Sequence, residues 1–174
     1  MNTTRFFAVL FGIFATGLLQ AADSPKTSDR VQVMFDHPEK FTDVKDGELP
    51  TDKGRDYILS QIHDYLVSHG TRDLPAGDTL AITFTDIDLA GDFEPWHGPN
   101  WDNVRILKDV YPPHLVFSYI LSDSAGKVLA QGKENLLDMN YQMRLILDTS
   151  DSLRYEKDML NDWLTKKIRY YGKS

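Results

Sequence analysis

Four carboxylates crowd one short stretch, Asp86, Asp88, Asp92 and Glu94, with Gly91 among them and His97 just beyond. Asp86, Asp88, Gly91, Asp92 and Glu94 match positions 1, 3, 6, 7 and 9 of a calcium-binding loop. Ala90 stands where the fifth position needs an oxygen, and His97 stands where the twelfth needs a bidentate glutamate. The loop pattern therefore fails, and calcium at Asp86, Asp88, Asp92 and Glu94 would need an oxygen-rich site of another design. No cofactor is otherwise expected. Zinc has less support, since the five histidines include no His-x-x-x-His pair and the chain has no cysteine. The commoner use of such carboxylates is an internal ion-pair network, with Asp86 or Asp88 paired to Arg105 or Arg154.

The same stretch carries two tryptophans. Trp96 and Trp101 flank His97, Gly98, Pro99 and Asn100. A flat apolar ring beside directed hydrogen-bonding groups is what glycan and peptide recognition uses. Trp96, His97, Trp101, Asp92 and Glu94 are therefore the candidate ligand-binding residues. The alternative is that one or both rings plug the end of the core. Nucleophilic chemistry has no signature: there is no Gly-x-Ser-x-Gly elbow and no thiol. A carboxylate pair such as Asp92 and Glu94 is too common to define an acid–base catalyst alone, and no catalytic residue is assigned.

Elements that must hold these residues are readable from periodicity. Val31, Val33 and Phe35 alternate as a first strand. Ile58, Leu59, Ile62, Tyr65 and Leu66 form one helical stripe, with Asp52 as its expected cap and Gly70 as its expected stop. Leu80, Ile82 and Phe84 alternate as a strand that, if it continued regularly, would aim Asp86 and Asp88 at the core. Such carboxylates need a cation, an early end to the strand, or a bulge that turns them away. Leu115 to Leu121 and Lys127 to Leu136 pair as a hairpin across Asp123–Gly126. From Leu137 to Leu147 every second residue is apolar, which predicts another long strand. Asp151 or Ser152 opens a last helix whose buried stripe includes Met159, Leu160, Trp163, Leu164 and Ile168. The expected fold is α+β, a mostly antiparallel sheet of about four to five strands with two helices packed on one face.

Several words of the chain are specific. Thr85-Asp86-Ile87-Asp88-Leu89-Ala90-Gly91, Phe93-Glu94-Pro95-Trp96 and Lys108-Asp109-Val110-Tyr111-Pro112-Pro113, together with Pro38 to Asp43 and Leu153 to Lys157, resemble a family of secreted Gram-negative bacterial proteins known as domain of unknown function 3016. The resemblance runs from about Val31 to Trp163. It implies an exported bacterial protein and assigns no activity.

Compartment is read from the first residues. Arg5 precedes an apolar run from Phe6 to Leu19, and Leu19-Gln20-Ala21 offers a small residue for signal peptidase. The run is shorter than the about 20 residues of a spanning helix. The expectation is a cleaved signal peptide over 1–21 and a single periplasmic domain over 22–174. Absence of cysteine removes the lipid anchor that attaches through one, so a released protein without a stable membrane anchor is expected. Cleavage removes Arg5 and takes the net charge from −7 to −8, which argues against nucleic acid as a partner. The leading expectation is a non-catalytic binding or envelope-accessory protein that meets an envelope component or a protein partner through residues 89–113. The alternatives are a metal-dependent enzyme or calcium-stabilised module at the carboxylates, and an accessory that pairs through a sheet edge.

Overall fold

A computed structural model describes residues 30–47, 49–98, 101 and 103–171, the side chains of His97 and Arg169 excepted. The leader expected over 1–21 lies outside these residues. Eight elements follow in order: β1 (Val31–Phe35), α1 (Asp52–Asp73), β2 (Thr79–Asp88), β3 (Asp92–Phe93), β4 (Arg105–Ile106), β5 (His114–Ser122), β6 (Val128–Leu137) and α2 (Arg154–Tyr171). The main sheet has the order β1-β2-β5-β6, and β3 and β4 form a two-stranded sheet of their own. Strands β2, β5 and β6 pair antiparallel, whereas β1 lies parallel to β2 because α1 carries the chain back between them. The fold is α+β, as composition and periodicity lead one to expect. No described helix is long and apolar enough to cross a membrane.

Both helices bury one stripe against the same sheet face. From α1 come Ile58, Leu59, Ile62 and Leu66; from α2 come Met159, Leu160, Trp163, Leu164 and Ile168. The sheet answers with Leu80, Ile82 and Phe84 of β2 and Leu115, Phe117, Tyr119 and Leu121 of β5. Trp163 is 4 % exposed and meets Phe117 and Tyr119 edge-on at 4.9 and 5.3 Å. This geometry adds to what burying so large a ring contributes.

Three local expectations are corrected, and one that was left open among alternatives is decided in favour of the bulge. Thr51, not Asp52, caps α1, its hydroxyl accepting from Gly54 N at 2.9 Å. Gly70 does not stop that helix, which runs on to Asp73. It is buried where α1 crosses β1, and a Cβ there would lie 3.1 Å from Val31 Cγ2, so close approach explains this glycine. In β2 a bulge shifts the register between Phe84 and Asp86. Thr85 swings out, Ile87 takes the next core position, and Asp86 and Asp88 turn away from the core.

The third correction concerns 137–147. Strand β6 ends at Leu137, a 3-10 turn occupies Tyr141–Met143, and no described strand follows before α2. Tyr141 interrupts the alternation by burying itself completely, donating its hydroxyl to Lys108 O at 2.9 Å and meeting Tyr155 edge-on. Arg144 then ties the chain to Asp138, Asp158 and Asp162. Met143, Leu145 and Leu147 are left on the outside at 86, 91 and 92 % exposure.

Candidate functional site

Beyond the bulge, the end of β2 is flanked by residues 42–44, which run beside it as a short parallel continuation. Asp43 N donates to Ile87 O at 3.0 Å, and Leu89 N donates to Asp43 O at 3.2 Å. Asp86 is fixed in this seam by Thr42, whose backbone N and hydroxyl donate to its two carboxylate oxygens at 2.7 and 2.8 Å. No cation is needed there. The ion pair expected between Asp86 or Asp88 and Arg105 or Arg154 is therefore corrected. Arg154 donates to Asp151 O and lies over the Tyr155 ring, and Arg105 belongs to Asp43.

Arg105 is the central tie of the region. Its guanidinium reaches both oxygens of the buried Asp43 carboxylate at 2.7 and 3.2 Å, Gly91 O at 2.7 Å and Lys45 O at 3.0 Å. It also lies 4.6 Å over the Phe93 ring, its register partner across β3 and β4. One side chain thus joins the 43–45 segment, the 91–93 turn and β4. Planar, forked and always charged, arginine suits this many acceptors. Gly91 turns the corner at φ 79°, where a Cβ would come within 2.7 Å of Ile106 O. Only glycine fits so near that carbonyl.

Two further carboxylates are consumed internally. Glu94 is buried, and Lys108 Nζ donates to its oxygens at 2.6 and 2.7 Å while the Tyr111 hydroxyl donates at 3.0 Å. That hydrogen bond to a carboxylate raises the Tyr111 phenol above its ordinary pKa. Glu156, in the first turn of α2, is buried beneath the turn and accepts from Ala90 N at 2.7 Å. Its other oxygen has no hydrogen-bond partner among the described residues, and burial pushes its pKa up.

Asp88 differs from its neighbours. It accepts no hydrogen bond from the described residues, and it borders a cleft of about 280 Å³ that Lys45, Asp92, Tyr111 and His114 also line. Desolvation, then repulsion from Asp43 and Asp86, raises its pKa to about 6. His114 is its cross-strand partner in β5, and His114 Nε2 sits 2.7 Å from Asn135 Oδ1 on β6. Asp92 accepts from Phe93 N at 2.8 Å and lies 3.7 Å from Lys45 Nζ. The cleft therefore presents groups of both signs and a phenol around one carboxyl that no donor among the described residues satisfies.

Of the residues expected to bind ligand, Asp92 lines this cleft and Glu94 braces it from below through Tyr111. Trp96 and Trp101 lie on the surface at 70 and 46 % exposure. Trp96 sits in a 3-10 turn, Pro95–His97, immediately after Glu94, and Trp101 N donates to Gly98 O at 2.9 Å. Plugging the core is not their role. The side chain of His97, like Pro99 and Asn100, is outside the described residues. The carboxylates proposed as metal ligands are not brought together: among the described residues no group of three or more His, Cys, Asp or Glu is placed to hold a metal ion. Asp43, Tyr111, His114 and Glu156 are site residues that spacing alone does not reveal, although Asp43, Tyr111 and Glu156 all fall inside the specific words of the sequence.

Those words now have a structural meaning. Pro38–Asp43, Thr85–Trp96, Lys108–Pro113 and Leu153–Lys157 converge on one region, and the family model that matches the chain, described as Protein of unknown function (DUF3016), covers residues 29–166, taking in all of them. The chain belongs to the DUF3016 family. No curated protein and no solved structure matches it.

Proposed function

We propose that this DUF3016 protein is an exported, non-catalytic binding protein of the bacterial envelope, which engages an envelope component through residues 89–113 and the adjoining Asp88 cleft. One observation supports this reading: Trp96 and Trp101 are exposed, and Trp96 follows directly on the turn that the buried Glu94–Lys108 ion pair holds in place. Exposed large aromatic rings cost solvation, and rings held on a rigid support lose little entropy on contact, which is the usual make-up of a recognition hot spot. The cleft supplies the directed polar groups such a surface needs for specificity. Asp86 and Glu94 are satisfied by protein donors, which favours a bracing role for them over acid–base work.

The reading is tested by passing a detergent-free envelope extract over the immobilised chain and over its Trp96→Ala and Trp101→Ala variants, with a thermal melt of each. The expected result is that at least one variant loses the retained component while melting within about 2 °C of the parent, as surface substitutions do. Retention unchanged in both variants would remove the tryptophans from the function.

A further inference from the structure

Along the outer side of β6 three features meet, and Leu137 at the end of that strand borders both this surface and the Asp88 cleft. Strand β6 ends the sheet order, so its outer backbone edge has no strand partner among the described residues. Between the end of β6 and α2 lies a groove of about 340 Å³ with Leu136, Leu137, Met159 and Trp163 in its walls and Lys166 at its rim. Next to it runs the 143–147 segment, whose Arg144 itself lines the groove. Arg144 and Ile146 face inward while Met143, Leu145 and Leu147 face outward, nearly fully exposed.

That outward alternation is the strand pattern that the fold does not use. A monomer gains nothing from presenting three large apolar side chains in register, and such a strip beside an open strand edge marks an interaction surface. Charge narrows the occupant. Lys166 is exposed and makes no ion pair with the described residues, whereas its neighbours Glu134 and Lys167 pair with each other at 2.9 Å. Asp148 follows Leu147, is exposed, and is kept ionised by hydrogen bonds from the Ser150 hydroxyl and backbone N. The acids that line the groove, Glu134, Asp138 and Asp162, are paired with Lys167 and Arg144, which leaves Lys166 to meet an acid that follows an extended apolar segment, and this chain carries such a segment in Leu145-Ile146-Leu147-Asp148. Because Arg144 belongs to both the segment and the groove, the two are parts of one contiguous patch, the condition for an isologous two-fold contact.

We infer that this patch is where a second copy of the chain docks, each copy laying its 143–148 segment along the β6 edge and groove of the other, with Asp148 facing Lys166. The proposal rests on the 143–148 segment and the groove beside α2, not on the tryptophans that carry the binding reading above.

Sedimentation equilibrium of the purified chain between about 10 µM and 1 mM tests it. The parent should pass from one chain to two as concentration rises. Leu145→Asp with Leu147→Asp should remain a single chain while melting like the parent. Lys166→Glu and Asp148→Lys should each weaken association about threefold, the size of a rim ion pair, and should restore it when combined. A parent that stays a single chain throughout, whether or not another protein is captured on the same face, overturns the proposal. So does a double-aspartate variant that associates as tightly as the parent.

Discussion

Around Arg105 the chain puts charges inside, and around Leu145 it puts leucines outside. The two regions invert the usual rule in opposite directions, and the difference lies in what each group finds as a partner. Asp43 and Glu94 are buried because Arg105, Lys108 and Tyr111 meet them at hydrogen-bonding distance. A buried charge so satisfied fixes geometry more than it adds stability. These ties hold Glu94, and Trp96 follows it exposed in the Pro95–His97 turn. In the second region the sequence supplies apolar residues in a regular pattern, but Tyr141 and Arg144 anchor the segment in a way that leaves that pattern without an intramolecular surface. One region finds partners for its buried charges within the chain, and the other leaves its apolar side chains exposed.

Substitutions separate the two regions, and the core that carries both sets the upper limit. Trp163→Ala should cost about 3 to 5 kcal/mol in denaturant melts, since it leaves a cavity beneath β5 and α2. Arg105→Met should come next, at about 3 kcal/mol, because it strands the buried Asp43 carboxylate and releases two backbone carbonyls at once. A loss below about 1 kcal/mol would mean that the tie is cosmetic and that the platform is held by something else.

A smaller effect of opposite sign is expected at Asp88. Its folded pKa of about 6 lies above that of an unfolded aspartate, so the native state binds the extra proton between about pH 4 and 6. The stability this confers is fully present below pH 4 and is lost as pH rises through 6. Asp88→Asn, which cannot ionise, should therefore melt above the parent at pH 7 and level with it at pH 4. The gain is on the order of 1 kcal/mol once solvent screening at this partly exposed group is allowed for. A variant less stable than the parent at pH 7 would show that the ionised carboxylate has a partner. Smallest of all, Leu145→Asp with Leu147→Asp should shift monomer stability by no more than about 0.5 kcal/mol, as exposed positions do.

Much of the frame was legible from periodicity, and the reason is that regular strands and helices repeat their burial. Leu80, Ile82 and Phe84 announce β2, Leu115 to Leu121 announce β5, and the Trp163 stripe announces α2. What periodicity cannot supply is the irregular step. The bulge at Thr85 reverses the side on which Asp86 and Asp88 emerge; the two acids signal that something must keep them from the core, but threonine is an ordinary strand residue and does not say that a bulge does it. Gly70 resembles a helix stop, yet its purpose is contact with a strand distant in sequence. The alternation over 137–147 is real and is preserved in the outward leucines, but a pattern does not say where its partner strand is. At the site, the acids were visible while their partners were not: Asp43 to Arg105 and Ala90 to Glu156 span separations of 62 and 66 residues. Only the clustering of specific words hinted that these distant segments meet.

The most direct test sets the two exposed surfaces against each other in one experiment. Parent chain, a Trp96→Ala and Trp101→Ala double variant, and the Leu145→Asp and Leu147→Asp double variant are each incubated with isolated peptidoglycan and with whole envelope extract, and bound chain is measured by co-sedimentation beside a thermal melt. The account predicts that the tryptophan variant loses binding to the envelope material and keeps its melting temperature, whereas the leucine variant keeps binding. A tryptophan variant that stays folded and binds as well as the parent would contradict it.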